Sequence, residues 1–133
     1  MILAERTLQQ EITVRLSCGR WPLIALPIPN GLWIPARGEV ERRMVCRLVA
    51  RMKTDGMLVP GAPDLALFWH GGGAMVELKR PKARDLLGRT LPAGRPSAAQ
   101  SELAERAHKL GINHAFVSSW DELRRCLAEW GAA

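Results

Sequence analysis

Residues 61–82, GAPDLALFWHGGGAMVELKRPK, contain the pattern from which the fold is predicted. Two short apolar runs, residues 64–69 and 74–79, flank HGGG, and a glycine-rich connection of this length is typical of a hairpin between antiparallel strands. Three charged residues, Asp64, Glu77 and Lys79, interrupt these apolar runs. Burying charge among leucines and valines is costly unless the charges are paired or bind an ion. The stretch therefore predicts both a buried pair of strands and a functional site.

The register of this hairpin decides whether the three charges meet. If Trp69 lies opposite Ala74, side-chain alternation places Asp64, Glu77 and Lys79 on one face of the sheet. The opposite face is then apolar, with Leu65, Leu67, Val76 and Leu78. A slip of two residues would place Asp64 directly opposite Glu77 and keep the charges together, whereas a slip of one would separate the two acids. Diagonal cross-strand neighbours lie about 7–8 Å apart, near enough for two carboxylates to bind one metal ion.

These residue types predict metal-dependent hydrolysis. Two neighbouring carboxylates repel, and each raises the pKa of the other unless a cation neutralises the pair. Mg²⁺ is bound by one or two carboxylates together with water and phosphate oxygens, and Asp64 and Glu77 offer such ligands. Lys79, on the same face, is suited to position or deprotonate an attacking water, or to neutralise charge on a phosphate. Either fragment alone is more often structural, because Glu-x-Lys is usually a solvated ion pair and Pro-Asp a turn.

The rest of the chain alternates between helical and strand patterns. Ser97 and Ser119 are each suited to N-cap a helix, and Gly111 to end the helix that begins at Ser97. Besides the hairpin, the predicted elements are helices at 2–17, 39–54, 97–111 and 120–130, an edge strand with prolines at 23–29 and a last strand at 112–119. The order αβαββαβα over residues 1–133 predicts one α/β domain, a mixed β-sheet flanked by helices.

Charge and cysteine usage narrow the class of protein. The net charge is +6 and the sequence pI about 10.0, which favours an anionic partner, most often nucleic acid. The three cysteines are far apart without metal-site spacing, which fits reduced thiols in the cytoplasm. No apolar run has the length of a membrane span, and Glu5 interrupts the region where a signal peptide needs a continuous apolar core. We therefore expect a cytoplasmic protein that does not act at a membrane.

At Pro63-Asp64 and Glu77-Leu78-Lys79 the chain resembles the PD-(D/E)xK nuclease superfamily. More narrowly, it resembles the virus-type replication-repair nuclease domain, the VRR-NUC family. This resemblance covers nearly the whole chain, through Glu5-x-x-x-Gln9, Pro29-Asn30-Gly31, Gly61-Ala62-Pro63-Asp64, Glu77-Leu78-Lys79, Ser97-x-x-Gln100 and Val117-Ser118-Ser119. It implies a restriction-endonuclease-like fold and a Mg²⁺-dependent DNA endonuclease, with Mn²⁺ able to substitute. Branched or junction DNA would be the substrate, in replication, repair or recombination, and stand-alone members of the family tend to act as homodimers.

The resemblance also assigns roles to individual residues. Asp64, Glu77 and the Leu78 carbonyl would bind the metal, and Lys79 would serve the attacking water. Glu5, from the first helix, would add a carboxylate, and Gln100 would support the site from the helix after the Glu-x-Lys strand. Glu11 competes with Glu5 for this role, and Glu5 is favoured because Gln9 follows one helical turn later on the same face.

A basic segment follows the proposed catalytic strand. Between residues 80 and 95 Asp85 is the single acid, and the candidate phosphate-binding residues are Arg80, Lys82, Arg84, Arg89 and Arg95. The simpler interpretation is a solvated basic loop. The segment also leaves open a second class of function, a non-catalytic nucleic-acid-binding module that keeps the nuclease fold.

Overall fold

The structure is a computed structural model that describes residues 3–29 and 36–132. Within these ranges it is a mixed α/β arrangement, and all eight predicted elements are present in the predicted order. The elements are α1 (Leu3–Cys18), β1 (Leu23–Pro27), α2 (Gly38–Thr54), β2 (Leu65–Trp69), β3 (Gly72–Leu78), β4 (Ala83–Arg84), β5 (Thr90–Leu91), α3 (Ala98–Lys109), β6 (Asn113–Val117) and α4 (Trp120–Glu129). The short strands β4 and β5 lie in a segment that the sequence predicts as loop.

The main sheet has four strands in the order β1-β2-β3-β6. The pairs β1–β2 and β2–β3 are antiparallel, whereas β3–β6 is parallel, so the sheet is mixed as predicted. Strand β1 lies at an edge of the sheet, as its proline content predicts, because proline cannot donate to a second neighbouring strand. Strands β4 and β5 pair only with each other in a separate antiparallel hairpin.

The β2–β3 register corrects the first prediction by two residues. Trp69 pairs with Gly72, so the connection is His70-Gly71 rather than the whole HGGG. Gly71 has φ +83°, a left-handed conformation that glycine adopts without strain. The last pair of the ladder is Leu65 with Val76, and the same register continued by one residue places Asp64 opposite Glu77. The two acids therefore still share a face.

The hydrophobic core lies on one face of the main sheet, under α1 and α4. The apolar residues of β2 and β3 that the sequence assigns to this face are 0–1% exposed. They pack with the buried residues of the two helices, Leu8, Ile12, Leu16, Leu123 and Leu127. Helix α3 packs against β6. Because the core side is filled, the charged residues of the hairpin project from the other side.

The predicted helix ends at α3 and α4 are confirmed. Ser97 Oγ accepts a hydrogen bond from Gln100 N, and the Gln100 side chain accepts one from Ser97 N, which completes a capping box. Gly111 follows α3 with φ +70°, the conformation expected of a glycine just after a helix. Ser119 caps α4 through a hydrogen bond from Glu122 N.

Helix α2 has its apolar face in solvent. None of its residues, Gly38 to Thr54, is buried, and Val40, Met44 and Leu48 are 73%, 64% and 48% exposed. Among residues 3–29 and 36–132, no other helix or strand makes close backbone contact with α2. The sequence predicts this amphipathic helix correctly, but the apolar face does not join the core. Neither α2 nor any other helix in the described ranges is long and apolar enough to cross a bilayer.

Candidate active site

Asp64, Glu77 and Lys79 are buried together where β2 begins and β3 ends. Their exposed fractions are 4%, 3% and 9%. Asp64 is fixed by its neighbours on both sides: its Oδ2 accepts a hydrogen bond from Leu78 N at 2.7 Å, and its carbonyl oxygen accepts one from Ile28 N at 2.9 Å. The carboxylate is thus tied to the end of β3, next to Glu77.

Glu77 has one satisfied carboxylate oxygen and one unsatisfied one. Oε1 accepts a hydrogen bond from Gln100 Nε2 at 2.6 Å, whereas Oε2 is buried and accepts none from any described residue. Burial, and then the neighbouring Asp64 carboxyl, raise the pKa of Glu77 to about 8, and the Lys79 ammonium opposes this shift. A buried acceptor without a donor destabilises a fold. The unsatisfied oxygen therefore indicates that a cation or a proton belongs beside it.

Gln100 links Lys79 to Glu77. Its Oε1 accepts hydrogen bonds from Lys79 Nζ at 2.5 Å and from Ser97 N at 2.9 Å, and its Nε2 donates to Glu77. Since an amide oxygen accepts and an amide nitrogen donates, these three bonds fix which way the Gln100 side chain faces. The capping box at the start of α3 thereby holds the Lys79 ammonium beside the two carboxylates.

Glu5 and not Glu11 lies beside this group. Glu5 is in the first turn of α1, its Oε1 accepts a hydrogen bond from Arg80 N at 3.3 Å, and its charge contributes to raising the pKa of Glu77. Glu11 is exposed and pairs with Arg15 at 3.0 Å. A Cβ at Gly94 would lie 3.3 Å from Glu5 Oε1 and 3.1 Å from Arg80 N, so glycine permits this close approach.

The donors at this site fit a hard divalent cation. Asp64 and Glu77 place carboxylates together, and Glu77 Oε2 lacks a partner among the described residues. The Leu78 carbonyl lies on the same side of β3 as its N–H, which faces Asp64. In the described ranges, no three His, Cys, Asp or Glu side chains converge closely enough to form a metal cage. Two carboxylates completed by main-chain and solvent oxygens match the needs of Mg²⁺ better than those of zinc.

The basic segment after β3 divides into two kinds of residue. Arg80 is half-buried: its Nη2 donates to Pro92 O at 2.9 Å, and its own carbonyl oxygen accepts from Gly94 N at 2.8 Å. Its Nε is buried without a partner among the described residues. Arg80 therefore holds the base of the β4–β5 hairpin. The other four candidates for phosphate contact are exposed, Lys82, Arg84, Arg89 and Arg95.

Sequence reasoning missed the β4–β5 hairpin and the part that Arg80 plays in it. A signal was present, because Asp85 followed by Gly88 is typical of a turn. In the structure Asp85 Oδ1 accepts hydrogen bonds from Leu87 N and Arg89 N. Asn30 and Gly31, which take part in the family resemblance, lie outside the described residues.

Comparisons with protein-family models, with curated proteins and with solved structures found no match for this chain. Its function is therefore inferred from the chemistry of the site that Asp64, Glu77 and Lys79 form.

Proposed function

We propose that this chain is a metal-dependent endonuclease that hydrolyses DNA phosphodiester bonds on a restriction-endonuclease-like fold of the VRR-NUC type. One observation carries the proposal: Glu77 is 3% exposed beside Asp64, with a pKa of about 8 and one carboxylate oxygen without a donor among the described residues. Such a pair must either keep a proton or bind a cation, and the second is the condition that a metal site needs. Mg²⁺ is the cation proposed, with Mn²⁺ able to replace it.

Each residue of the site has its own proposed role in hydrolysis. Asp64, Glu77 and the Leu78 carbonyl would hold the ion, and Glu5 adds a fourth oxygen donor near them. When bound, the ion supplies Lewis-acid polarisation of the phosphate and lowers the pKa of a bound water. Lys79 orients or deprotonates the attacking water, or neutralises the charge that develops on the phosphate. Gln100 fixes the distance between Lys79 and Glu77, so that both act on the same phosphate.

The charge of the chain supports DNA as the substrate. Lys82, Arg84 and Arg95 are exposed in the segment between β3 and α3, where the phosphates of a duplex bound at the site would pass. The net charge of +6 also attracts DNA over longer distances. The three cysteines are free, which agrees with the reducing conditions of the cytoplasm, where the proposed substrate occurs.

A homodimer would place two such sites on a branched substrate. Two apolar surfaces of the chain lack a cover within the described ranges: the α2 face with Val40, Met44 and Leu48, and a strip on the sheet. The strip lies on the face opposite the core, where Ile24, Leu26 and Phe68 are 63%, 50% and 51% exposed. Exposed apolar patches of this kind mark contacts between proteins. In a twofold dimer the same patches of both copies are covered at once, which supports a second copy as the partner.

A cleavage panel tests the proposal. Purified protein is incubated with labelled linear, flapped and four-way DNA in Mg²⁺, in Mn²⁺ and in EDTA, with Asp64→Ala as the matched inactive variant. We expect metal-dependent cleavage, fastest on branched DNA, and none by Asp64→Ala. Binding without cleavage in either metal, with equal affinity for wild type and Asp64→Ala, would establish the non-catalytic binding module instead.

A further inference from the structure

The β4–β5 hairpin presents two leucines to solvent at its tip. Leu86 is 106% exposed and Leu87 is 78% exposed, more than any other large apolar side chain in the described ranges. They lie between Arg84 and Arg89, in a segment with a single acid, Asp85. Two adjacent leucines at a hairpin tip contribute nothing to the core, so both side chains are available to contact a partner.

The tip is held in one shape by its own hydrogen bonds. Asp85 N donates to Arg89 O at 2.9 Å, and Gly88 N donates to Asp85 O at 3.0 Å. The Asp85 carboxylate accepts from Leu87 N and Arg89 N, and it pairs with Arg89 Nε at 2.7 Å. Gly88 has φ +77°, which a leucine would rarely adopt. The two leucines are therefore presented by a preformed turn, which lowers the cost of inserting them into a partner.

The base of the hairpin is attached to the candidate active site. Arg80 follows Lys79 directly, its N donates to Glu5, and its side chain donates to Pro92 after β5. Gly94 N donates to the Arg80 carbonyl and closes the base. A molecule that contacts the tip is thus positioned relative to Glu5 and Lys79 by a short stretch of hydrogen-bonded backbone.

We propose that Leu86 and Leu87 form an apolar wedge that inserts between base steps where a DNA duplex branches, while the flanking cations hold the adjacent phosphates. The inference rests on the proposed action on DNA. Charge selects this occupant, because exposed Arg84 directly precedes the tip, Lys82 and Arg95 are exposed where the hairpin begins and ends, and Asp85 is already paired with Arg89. Apolar side chains inserted between bases beside phosphate-binding cations are an established way to unstack and bend DNA. The bases at a branch are the least costly to unstack, so the wedge selects branched over linear duplex.

The test measures unstacking separately from cleavage. Four-way DNA carrying 2-aminopurine at the branch point is bound in EDTA by wild type, by Leu86→Ser/Leu87→Ser and by Met57→Ser/Leu110→Ser. The last variant is the matched control, since Met57 and Leu110 are also exposed, at 65% and 72%. We expect the wild type and the control to raise 2-aminopurine fluorescence and the tip variant to lose the rise. In Mg²⁺ the tip variant should cut branched DNA about tenfold more slowly than wild type, equivalent to about 1.4 kcal/mol. Its rate on linear DNA should differ from that of wild type by less than about twofold.

The outcomes separate this inference from the proposed function. Fluorescence that rises equally with the tip variant, alongside normal cleavage, overturns the wedge and leaves the nuclease standing. A rise that only the tip variant loses, with no cleavage by wild type in any metal, supports the wedge and overturns the nuclease. A tip variant that changes the sedimentation coefficient but not the fluorescence assigns the leucines to a contact between copies of the chain and overturns the wedge.

Discussion

The β2–β3 hairpin and helix α2 depart from the usual distribution of polar and apolar residues in opposite directions. The hairpin buries three charged side chains, Asp64, Glu77 and Lys79. Helix α2 exposes apolar side chains along a whole face, including Val40 and Met44. Buried charge and exposed apolar surface are the two observations that most often indicate function, because each destabilises an isolated chain.

The difference between the two regions lies in what each still needs. At the hairpin, Gln100 and the Leu78 N–H already donate to the two carboxylates, and Glu77 Oε2 lacks only a proton or one small cation. At α2, no described element covers the apolar face, and only a surface as large as that face could cover it. The hairpin is therefore the candidate active site, and α2 is the candidate surface for contact with another protein.

The largest expected effect concerns Lys79. Lys79→Ala removes the ammonium that Gln100 holds beside the carboxylates, and we expect single-turnover cleavage to fall by about 100- to 1000-fold. Far-ultraviolet circular dichroism should stay unchanged. Lys109→Ala, at the end of α3, is the control and should cut like the wild type. Equal rates for Lys79→Ala and wild type would contradict the proposed catalytic role of the hairpin.

The next effect concerns the apolar face of α2. Met44→Glu places a charge in the proposed contact between copies, and we expect the dimer dissociation constant to rise by about 100-fold or more. Cys46→Glu, two residues further on and so on the opposite face of the helix, adds the same charge and is the control. Sedimentation velocity over a range of concentrations measures both. A monomeric wild type, or equal dimerisation of the two variants, would contradict the role assigned to α2.

The pH dependence of the free energy of unfolding tests the environment assigned to Glu77. The pKa of Glu77 is about 8 in the folded protein and 4.5 ordinarily, so the folded state binds this proton more tightly. Without metal, the contribution of Glu77 to the free energy of unfolding is fully present below pH 4.5. It is lost as the pH rises to about 8, at up to about 1.4 kcal/mol per pH unit. Urea unfolding in EDTA should show this loss in wild type and in Glu102→Gln, but not in Glu77→Gln. Parallel curves for wild type and Glu77→Gln would show that Glu77 titrates normally.

The smallest expected effect concerns the cap that positions Gln100. Ser97→Ala removes the side-chain acceptor for Gln100 N, and we expect the free energy of unfolding to fall by about 1 kcal/mol. Ser101→Ala, one turn later on the exposed side of α3, should change it by less than about 0.5 kcal/mol. Urea titration of both variants gives the comparison. A Ser97→Ala protein as stable as wild type would mean that the capping box does not support this side of the site.

Local patterns predicted the elements because local physics decides them. The period of apolar residues defined α1 and α2, and Ser97, Gly111 and Ser119 defined helix ends through hydrogen bonds and backbone conformations that only nearby residues determine. The shared face of Asp64 and Glu77 was also predictable, since it depends only on whether the register is odd or even. The register itself was two residues off, because the choice between a two-residue and a four-residue turn depends on how the twisted strands pack.

Contacts between distant parts of the chain were harder to predict. Glu5 and Glu11 have similar local surroundings in the sequence, and what distinguishes them is a hydrogen bond from Arg80, far along the chain. Arg80 also looked like its basic neighbours, although its side chain turns back to Pro92. The exposure of α2 could not be predicted, since an amphipathic pattern does not say whether a core or a partner covers the apolar face.

Metal-dependent cleavage of DNA is the activity that we propose for the paired carboxylates at the end of the hairpin. Single-turnover cleavage of labelled four-way DNA by wild type and by Asp64→Asn, in Mg²⁺ and in EDTA, tests it most directly. Asparagine keeps the size of the side chain and removes the negative charge beside Glu77. We predict cleavage by wild type in Mg²⁺ alone and none by Asp64→Asn under either condition. Cleavage that persists in EDTA or in Asp64→Asn, or a wild type that cuts no DNA with Mg²⁺ or Mn²⁺, would contradict the account.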